Sequence, residues 1–336
     1  MPTIFRLTTF FAVFLYAGLV QAEIVQAETQ AAAPTPASPP SQASRASVMT
    51  IPQAAILGIV EGLTEYLPVS STGHLLLAGK IMGIGSESGL TAAEASVQKD
   101  AIDAYDICIQ AGAIIAVLGL YFRRVGQMFA GLTGKDALGR RLLVNIVVGF
   151  LPAAVLGLLA NKYIKAWLFG SWPVVAAWFV GGVLILAVHY WNKYHGQGRA
   201  RVGLALETMT WKMALVVGLM QCLAMWPGVS RSLATIAGGL ISGLSLGAAV
   251  EFSFLLGLIT LGAATIYDAL KHGHEMLAMF SPAALATGLF FAFVSGMVAI
   301  RWMVGYLSRH GMAIFGYYRI ILALVVGGLL FTGHMN

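Results

Sequence analysis

The most informative segment of the chain is EGLTEYLPVSSTGHLLL, residues 61–77. It sets two glutamates, a run of three hydroxyl side chains and a histidine within 14 residues, inside a long apolar stretch. Pro68 stands in the middle, and proline ends helices because it lacks a backbone donor and its ring clashes with the preceding turn. The segment therefore predicts a helix, a break and a second helix, with the polar side chains gathered around the break.

The composition of the whole chain predicts a membrane protein. Of 336 residues, 58% are hydrophobic and only 10% are charged, with a mean hydropathy of +0.81. Soluble domains carry about 25% charged residues, so a soluble fold would have too few polar side chains to cover its surface. The net charge of +6 is then a property of loops that sets topology, and no nucleic acid is expected as a partner.

The first 48 residues stand apart from this pattern. Residues 1–22 carry one arginine, an apolar run and a small-x-small ending at Ala22, which is typical of a cleaved signal peptide. An uncleaved additional helix is the alternative. Residues 23–48 are rich in Ala, Pro and Ser and predict a disordered linker. The membrane-embedded domain is expected over residues 49–336.

Six stretches are long and apolar enough to span a bilayer, which takes about 20 residues. They lie at 104–122, 142–160, 173–191, 250–269, 282–304 and 312–333. Two other apolar stretches, 51–84 and 213–246, are each broken near the middle, by Pro68 and by Pro227. Their halves, at about 14–17 residues, are too short to cross alone at about 1.5 Å per residue. Both are predicted to be re-entrant helical hairpins with tips buried in protein.

The two broken stretches resemble each other at an offset of 160 residues. The matching pairs are Gly58 with Gly218, Leu63 with Leu223, Val69 with Val229 and Ser70 with Ser230. Three spans follow each hairpin, and an odd number makes the second unit enter the membrane from the opposite side. The predicted fold class is an all-α polytopic membrane protein with an inverted-topology repeat, in halves of about 49–191 and 213–333. Chance similarity between apolar stretches is the alternative.

Positive charge predicts the orientation of the chain. With the mature N-terminus outside, the cytoplasmic loops are 123–141, 192–212 and 305–311, and the outer loops are 85–103, 161–172 and 270–281. The cytoplasmic loops then hold ten Lys and Arg residues and the outer loops four, as the positive-inside rule requires.

Glu61 and Glu65 are four residues apart, so they share one helix face. Two carboxylates about 5–6 Å apart repel each other in a low-dielectric place. Protonation of one carboxylate or a bound divalent cation would relieve the repulsion. Ionisable groups at membrane depth are costly and usually functional, so both glutamates are candidate site residues, and buried hydrogen-bonded carboxyls are the alternative.

The hydroxyl run Ser70, Ser71 and Thr72 stands where the helix after Pro68 begins. The free N–H groups and positive dipole end of that helix attract anions, and His74 lies in its first turn. Ser70 and Thr72 are expected mainly as helix caps. Ser71 is expected as a nucleophile or a phosphate contact, with a helix cap as the alternative. His74 is expected to be functional, with a bond to a backbone carbonyl as the alternative.

The second hairpin supplies a cation. Arg231 occupies the position equivalent to Ser71, between Ser230 and Ser232, which are expected to cap the second helix. If the two tips meet, a guanidinium suited to bidentate phosphate binding faces the carboxylates and hydroxyls. A structural ion pair with a glutamate is the alternative. Together these groups predict a site for a phosphorylated substrate.

Other charged residues of the spans are weaker candidates. Arg319 and Glu251 are expected to be structural. Asp103 and Asp106 are expected to begin a span, where acids suit the helix dipole.

The motifs EGLTEYLPVSSTGHL (61–75) and WPGVSRSLATI (226–236) together resemble the two signature motifs of the bacterial undecaprenyl-diphosphatase family, also called the bacitracin-resistance proteins. The likeness continues in family order through IQAGAIIAV, PAAVLGLL, EFSFLL and YYRI and covers about residues 51–333. It implies a multi-pass hydrolase of the bacterial inner membrane, which removes one phosphate from undecaprenyl diphosphate at a site open to the periplasm. That reaction recycles the lipid carrier for peptidoglycan synthesis.

The resemblance also implies roles for motif residues. Glu61 and Glu65 would hold a divalent cation, Mg²⁺ or Ca²⁺, and the diphosphate. Ser71 would be the nucleophile and His74 its base or the leaving-group acid, while Arg231 would stabilise the phosphoryl charge. The hydroxyls expected to contact the substrate are Ser70, Thr72, Ser230 and Ser232.

Two departures and two competing functions remain. Leu233 stands where the family usually has Gly, and Ile259 where a Pro often follows EFSFLL; neither removes a charged group. A lipid-phosphate transporter could use the same inverted-repeat site. A phosphatase with a histidine nucleophile is set aside because Ala237 stands where its second motif needs His.

Small residues that permit close helix contacts, within the chain or in a homodimer, are Gly181, Gly182, Gly327 and Gly328.

Overall fold

The protein is described by a computed structural model that covers residues 49–85, 91–168, 170–195 and 203–333. The predicted signal peptide and linker, residues 1–22 and 23–48, lie outside the described residues. The described part is helical, with one isolated β-bridge between Leu204 and Leu244.

The first broken element consists of α1 (Ile51–Thr64) and α2 (Ser71–Ile81). Thr50 begins α1 with a capping box, in which its hydroxyl accepts from the Gln53 N–H and the Gln53 side chain accepts from the Thr50 N–H. Such reciprocal bonds satisfy two of the free donors at a helix start. Turn residues around Pro68 separate the two helices, so the predicted helix, break and helix are confirmed here.

The second broken element is built in the same way. It consists of α7 (Trp211–Cys222), a short 3₁₀ turn and α8 (Arg231–Ile241). Thr210, 160 residues after Thr50, forms the capping box of α7. Ser70 and Ser230 have φ values of 74° and 76° and are the only described residues other than glycine with positive φ. The offset seen in the sequence thus relates equivalent backbone positions.

Six long helices complete the fold. They are α3 (Ala92–Leu120), α5 (Ala137–Leu168), α6 (Ser171–His195), α9 (Leu246–Met279), α10 (Pro282–His310) and α11 (Ala313–Phe331). All six are long and apolar enough to cross a membrane, which confirms the six predicted spans. A short helix, α4 (Phe122–Leu132), lies in the predicted loop between the first two of them.

The start of α3 differs from the prediction. Thr91 forms a capping box with Glu94, so the helix begins 12 residues before position 104, and Glu94 is the acid of its first turn. Asp103 and Asp106 therefore do not begin a span, and the dipole argument made for them is wrong. The helix extends beyond its apolar stretch because Thr91 caps its start. Its polar first turns can lie outside the apolar region of the membrane.

Each broken element packs on the second span of the other half. In α1, a side chain at Gly58 would overlap the backbone of Gly288 in α10. In α7, a side chain at Gly218 would lie 2.5 Å from the carbonyl oxygen of Gly149 in α5. Glycines at equivalent positions thus let both short helices contact the backbone of a long helix. This exchanged packing, in which each broken element packs on the other half, brings the two breaks together.

Candidate active site

The breaks of the two elements contact each other through hydroxyl groups. Ser232 donates a hydrogen bond of 3.2 Å to the carbonyl oxygen of Glu65, and Ser230 one of 3.4 Å to that of Leu67. Both serines of the second break therefore satisfy backbone acceptors of the first. The predicted meeting of the two breaks is present in the structure.

Arg319 of α11 fastens this junction. Its buried guanidinium donates to backbone carbonyls at 2.8–3.4 Å on both breaks and on α6. The acceptors are Pro68, Ala177, Trp178, Gly228 and Val229. Gly181 leaves the room that the guanidinium occupies. The structural role expected for Arg319 is confirmed, because a proline-broken backbone has free carbonyls that a forked donor can satisfy.

Glu251, also expected to be structural, belongs to a separate group of paired charges. It pairs with Arg124 of α4 at 2.6 Å, and Arg124 also pairs with Glu207 at 2.7 Å. These three residues join α4 and α9 to the segment that precedes α7.

Glu65 is the centre of the junction. One of its oxygens accepts a hydrogen bond from the Ser71 hydroxyl, and the other lies 3.3 Å from a guanidinium nitrogen of Arg231. All three residues are largely shielded from solvent. A hydroxyl, a carboxylate that can take its proton and a cation therefore lie together, and the ion pair considered for Arg231 is present.

The Arg231 side chain lies in a space that α9 provides. It donates to the carbonyl oxygen of Ser253 at 3.0 Å, and its guanidinium lies 5.0 Å from the centroid of the Tyr66 ring. A side chain at Gly257 would overlap the guanidinium. Sequence reasoning missed Gly257, Ser253 and Tyr66. Tyr66 lies within the first signature motif, Ser253 lies within EFSFLL, and Gly257 directly follows that string.

The side chain of His74 contacts α11. Its Nδ1 lies 2.6 Å from the carbonyl oxygen of Ser70 and its Nε2 lies 2.7 Å from the hydroxyl of Tyr318. The edge of the Trp178 ring system packs beside it, with centroids 5.4 Å apart. Both imidazole nitrogens thus have partners, and the hydrogen bond of the Ser71 hydroxyl is accepted by the carboxylate of Glu65.

Glu61 has a different environment from Glu65. Both of its oxygens are buried without a partner in good hydrogen-bond geometry, and Gln110 and Asp106 of α3 lie close to it. One oxygen of Asp106 is likewise buried and unpartnered. Orphaned buried carboxylate oxygens are what a hard cation requires. Sequence reasoning placed Asp106 at a helix end and so missed its proximity to Glu61.

A closed protein cage for a cation is not present in the part of the chain that is described. No group of three or more His, Cys, Asp or Glu residues there could ligate one ion. Mg²⁺ is commonly held by one or two carboxylates plus water and substrate phosphates. The pair of Glu61 and Glu65 fits that mode of binding.

The remaining hydroxyls divide between the two breaks. Ser230 accepts from the Leu233 N–H and so caps α8 as expected. Ser70 occupies the equivalent position of α2 but makes no side-chain capping bond, so the capping role expected for it is wrong. Thr72 is exposed at the start of α2. The hydroxyls of Ser70 and Thr72 therefore form no capping bond with the backbone of α2.

Comparison with known proteins identifies the family. Residues 54–325 match the family described as bacitracin resistance protein BacA. The chain belongs to this family. Its match begins within α1 and ends within α11, so it contains both broken elements and all six long helices in whole or in part.

Relatives within the BacA family are similar over most of their length. An undecaprenyl-diphosphatase of Sorangium cellulosum (strain So ce56) is 45% identical over 275 residues, 81% of this chain and 84% of the relative. Undecaprenyl-diphosphatase 1 of Chromobacterium violaceum is 43% identical over 284 residues, 84% of this chain and 97% of the relative. Undecaprenyl-diphosphatase 2 of Rhodospirillum rubrum is 44% identical over 281 residues, 84% and 95% respectively. The family resemblance predicted from two motifs is confirmed.

Proposed function

We propose that this BacA-family protein hydrolyses undecaprenyl diphosphate to undecaprenyl phosphate and inorganic phosphate. The observation that carries the proposal is the buried contact of Ser71 and Arg231 with one carboxylate, Glu65. The names of relatives that match over most of the chain support the same substrate. Through this reaction the protein would recycle the lipid carrier of envelope polymers and, as the family description suggests, contribute to bacitracin resistance.

Ser71 would act as the nucleophile. Its oxygen would bond to the terminal phosphorus, its proton would pass to Glu65, and undecaprenyl phosphate would leave. Water would then cleave the phosphoester of Ser71, releasing inorganic phosphate and restoring the hydroxyl. Arg231 would stabilise charge on the phosphoryl oxygens, which is the dominant requirement in phosphoryl transfer.

Glu61, with help from Glu65, would hold Mg²⁺ or Ca²⁺. The unpartnered oxygens of Glu61 support this assignment. Glu61 is the main ligand in this proposal because the carboxylate of Glu65 already accepts hydrogen bonds from Ser71 and Arg231. The cation, when bound, would neutralise charge on the diphosphate. The hydroxyls of Ser70 and Thr72 would contact the substrate.

Ser230 and Ser232 are proposed to contact the substrate, although both hydroxyls already form hydrogen bonds within the protein. Both hydroxyls donate to carbonyls of the first break, so they would reach a phosphate only by sharing or exchanging those bonds. His74 would act through Nε2, in its protonated form as the acid for the leaving group or, in place of Glu65, as the base for Ser71, because its Nδ1 is bonded to the carbonyl oxygen of Ser70.

The membrane arrangement is part of the proposal. The 160-residue offset and the exchanged packing of α1 and α7 support re-entrant hairpins in an inverted-topology repeat. An inner-membrane location with the site facing the periplasm is proposed because the family resemblance implies it, and the charge distribution of the loops supports the orientation of the chain. A homodimer is also proposed; Gly181 and Gly182 already contact Arg319 and α11, so Gly328, which has open space around it, is the better candidate for its contact.

The test is phosphate release by purified protein in detergent. We expect release from undecaprenyl diphosphate, loss of release with EDTA and recovery with excess Mg²⁺ or Ca²⁺. Protein that binds the lipid but releases no phosphate from any polyprenyl diphosphate would overturn the proposal and favour a transporter.

A further inference from the structure

A tyrosine outside both signature motifs contacts the imidazole of His74. Tyr318 of α11 stacks on His74, with ring planes 7° apart and centroids 5.7 Å apart. Its hydroxyl lies 2.7 Å from His74 Nε2 across 244 residues of chain. The stacking and the hydrogen bond are two independent contacts between the same side chains.

The hydrogen-bond partners define the tautomer of His74. Its Nδ1 lies 2.6 Å from the carbonyl oxygen of Ser70, and a carbonyl can only accept, so Nδ1 carries the proton. In the neutral imidazole Nε2 then has a lone pair, and the Tyr318 hydroxyl is the donor to it. His74 therefore presents its proton-accepting nitrogen to α11.

Packing against Trp178 helps to fix the position of the His74 imidazole. The Trp178 ring packs against it, and Trp178 is itself fixed by donating to the carbonyl oxygen of Val69 at 3.1 Å. A side chain at Gly73 would overlap Trp178, so glycine one residue before His74 makes this contact possible. Arg319, next to Tyr318, is anchored on both breaks. The tyrosine is thus held in a fixed relation to the candidate active site.

We propose that Tyr318 is a positioning residue for the phosphatase reaction. Its hydroxyl donates to the Nε2 lone pair of His74 and holds it in a defined direction until an O–H group of the lipid diphosphate or of water replaces the phenol as donor. The inference rests on the proposed function, because it acts through His74. Tyr318 forms no bond to phosphorus and is not a proton donor to the substrate.

The variant Tyr318→Phe keeps the stacked ring and removes the hydroxyl. We expect kcat to fall about 3- to 10-fold with KM unchanged, the range that corresponds to one hydrogen bond. The matched control is Tyr317→Phe, because Tyr317 is the neighbouring tyrosine and its hydroxyl pairs with Tyr190 instead. The control is expected to change kcat less than about 2-fold.

A double-mutant cycle separates positioning from general stability. In a His74→Asn background, Tyr318→Phe is expected to cause no further loss, since the two residues act as a unit. An equal fold-loss in both backgrounds would overturn the inference, as would wild-type kcat in Tyr318→Phe.

Nitrogen-15 NMR of histidine-labelled protein tests the contact without an activity assay. The signals of His74, assigned by their loss in His74→Asn, are expected to show a protonated Nδ1 and an unprotonated Nε2 that shifts in Tyr318→Phe. The opposite tautomer in the wild type would overturn the inference. If Nε2 shifts as expected but the wild type releases no phosphate, the proposed function fails and the contact of tyrosine with histidine stands.

Discussion

Glu65 of the first broken element and Arg231 of the second form a salt bridge of 3.3 Å between residues 166 positions apart in the chain. Their side chains are only 5% and 9% exposed. Burying two charges costs several kcal/mol per ion before their attraction is counted, so such a pair is weak evidence for stability. A need to keep a carboxylate and a guanidinium beside the Ser71 hydroxyl explains its position better.

Removal of either charge should disable the enzyme. Glu65→Gln and Arg231→Ala are each expected to lower kcat/KM by at least about 100-fold, or about 2.7 kcal/mol of barrier, because the first loses the proton acceptor and the second the cation. The measurement is phosphate release at several substrate concentrations. Arg140→Ala, an exposed arginine, is the control, and near-normal rates in folded Glu65 or Arg231 variants would refute the assignment.

The identity of the nucleophile is tested at Ser71. Ser71→Ala is expected to reduce kcat by on the order of 1,000-fold or more, and acid-quenched wild-type protein should contain phosphoserine at this position by mass spectrometry. Ser308→Ala, at an exposed serine near the end of α10, should behave as wild type. Substantial activity in Ser71→Ala would mean that water attacks phosphorus and that Ser71 only binds phosphate.

The cation assignment is tested at Glu61. Glu61→Gln is expected to raise the Mg²⁺ concentration for half-maximal activity at least about 10-fold, because it removes a carboxylate whose two oxygens are both orphaned. Thermal stabilisation of the substrate-free protein by added Ca²⁺ should weaken in parallel. Glu207→Gln serves as the matched control, since the carboxylate of Glu207 is paired with Arg124; an unchanged cation response in Glu61→Gln would contradict the prediction.

Close helix packing is tested at Gly58. Gly58→Ala is expected to lower the free energy of unfolding by about 1–3 kcal/mol, because the added methyl group would overlap the backbone of Gly288. Gly119→Ala in α3 has nothing within 4 Å and should be neutral or stabilising by about 0.5–1 kcal/mol. Unfolding of both variants in the same detergent compares them, and equal stabilities would contradict the proposed close approach.

The carbonyl anchor is tested by Arg319→Lys. Lysine keeps the charge but has no planar fork, so several buried carbonyls would lose their donor. We expect a loss of at least about 2 kcal/mol in unfolding free energy together with reduced activity. Arg309→Lys, at an exposed position, is the control; an Arg319→Lys variant as stable as the wild type would show that water can satisfy these carbonyls.

Local chemistry explains why much of the fold was predictable. The breaks at Pro68 and Pro227 follow from proline chemistry, and the six long helices follow from stretches of about 20 apolar residues. The start of α3 was predicted wrongly because hydropathy does not detect a polar first turn capped by Thr91. Asp106 was misjudged for the same reason, since its place near Glu61 depends on where the helix begins.

Composition and neighbours within a few residues are sufficient to predict the membrane class, the positions of the two breaks and the set of polar groups around them. Which of these groups touch depends on tertiary packing. It pairs Ser71 with Glu65, directs His74 to Tyr318 and lodges Arg231 in the space left by Gly257. Such partners come from helices far apart in the chain, and their distances depend on how whole helices pack, which no local pattern encodes.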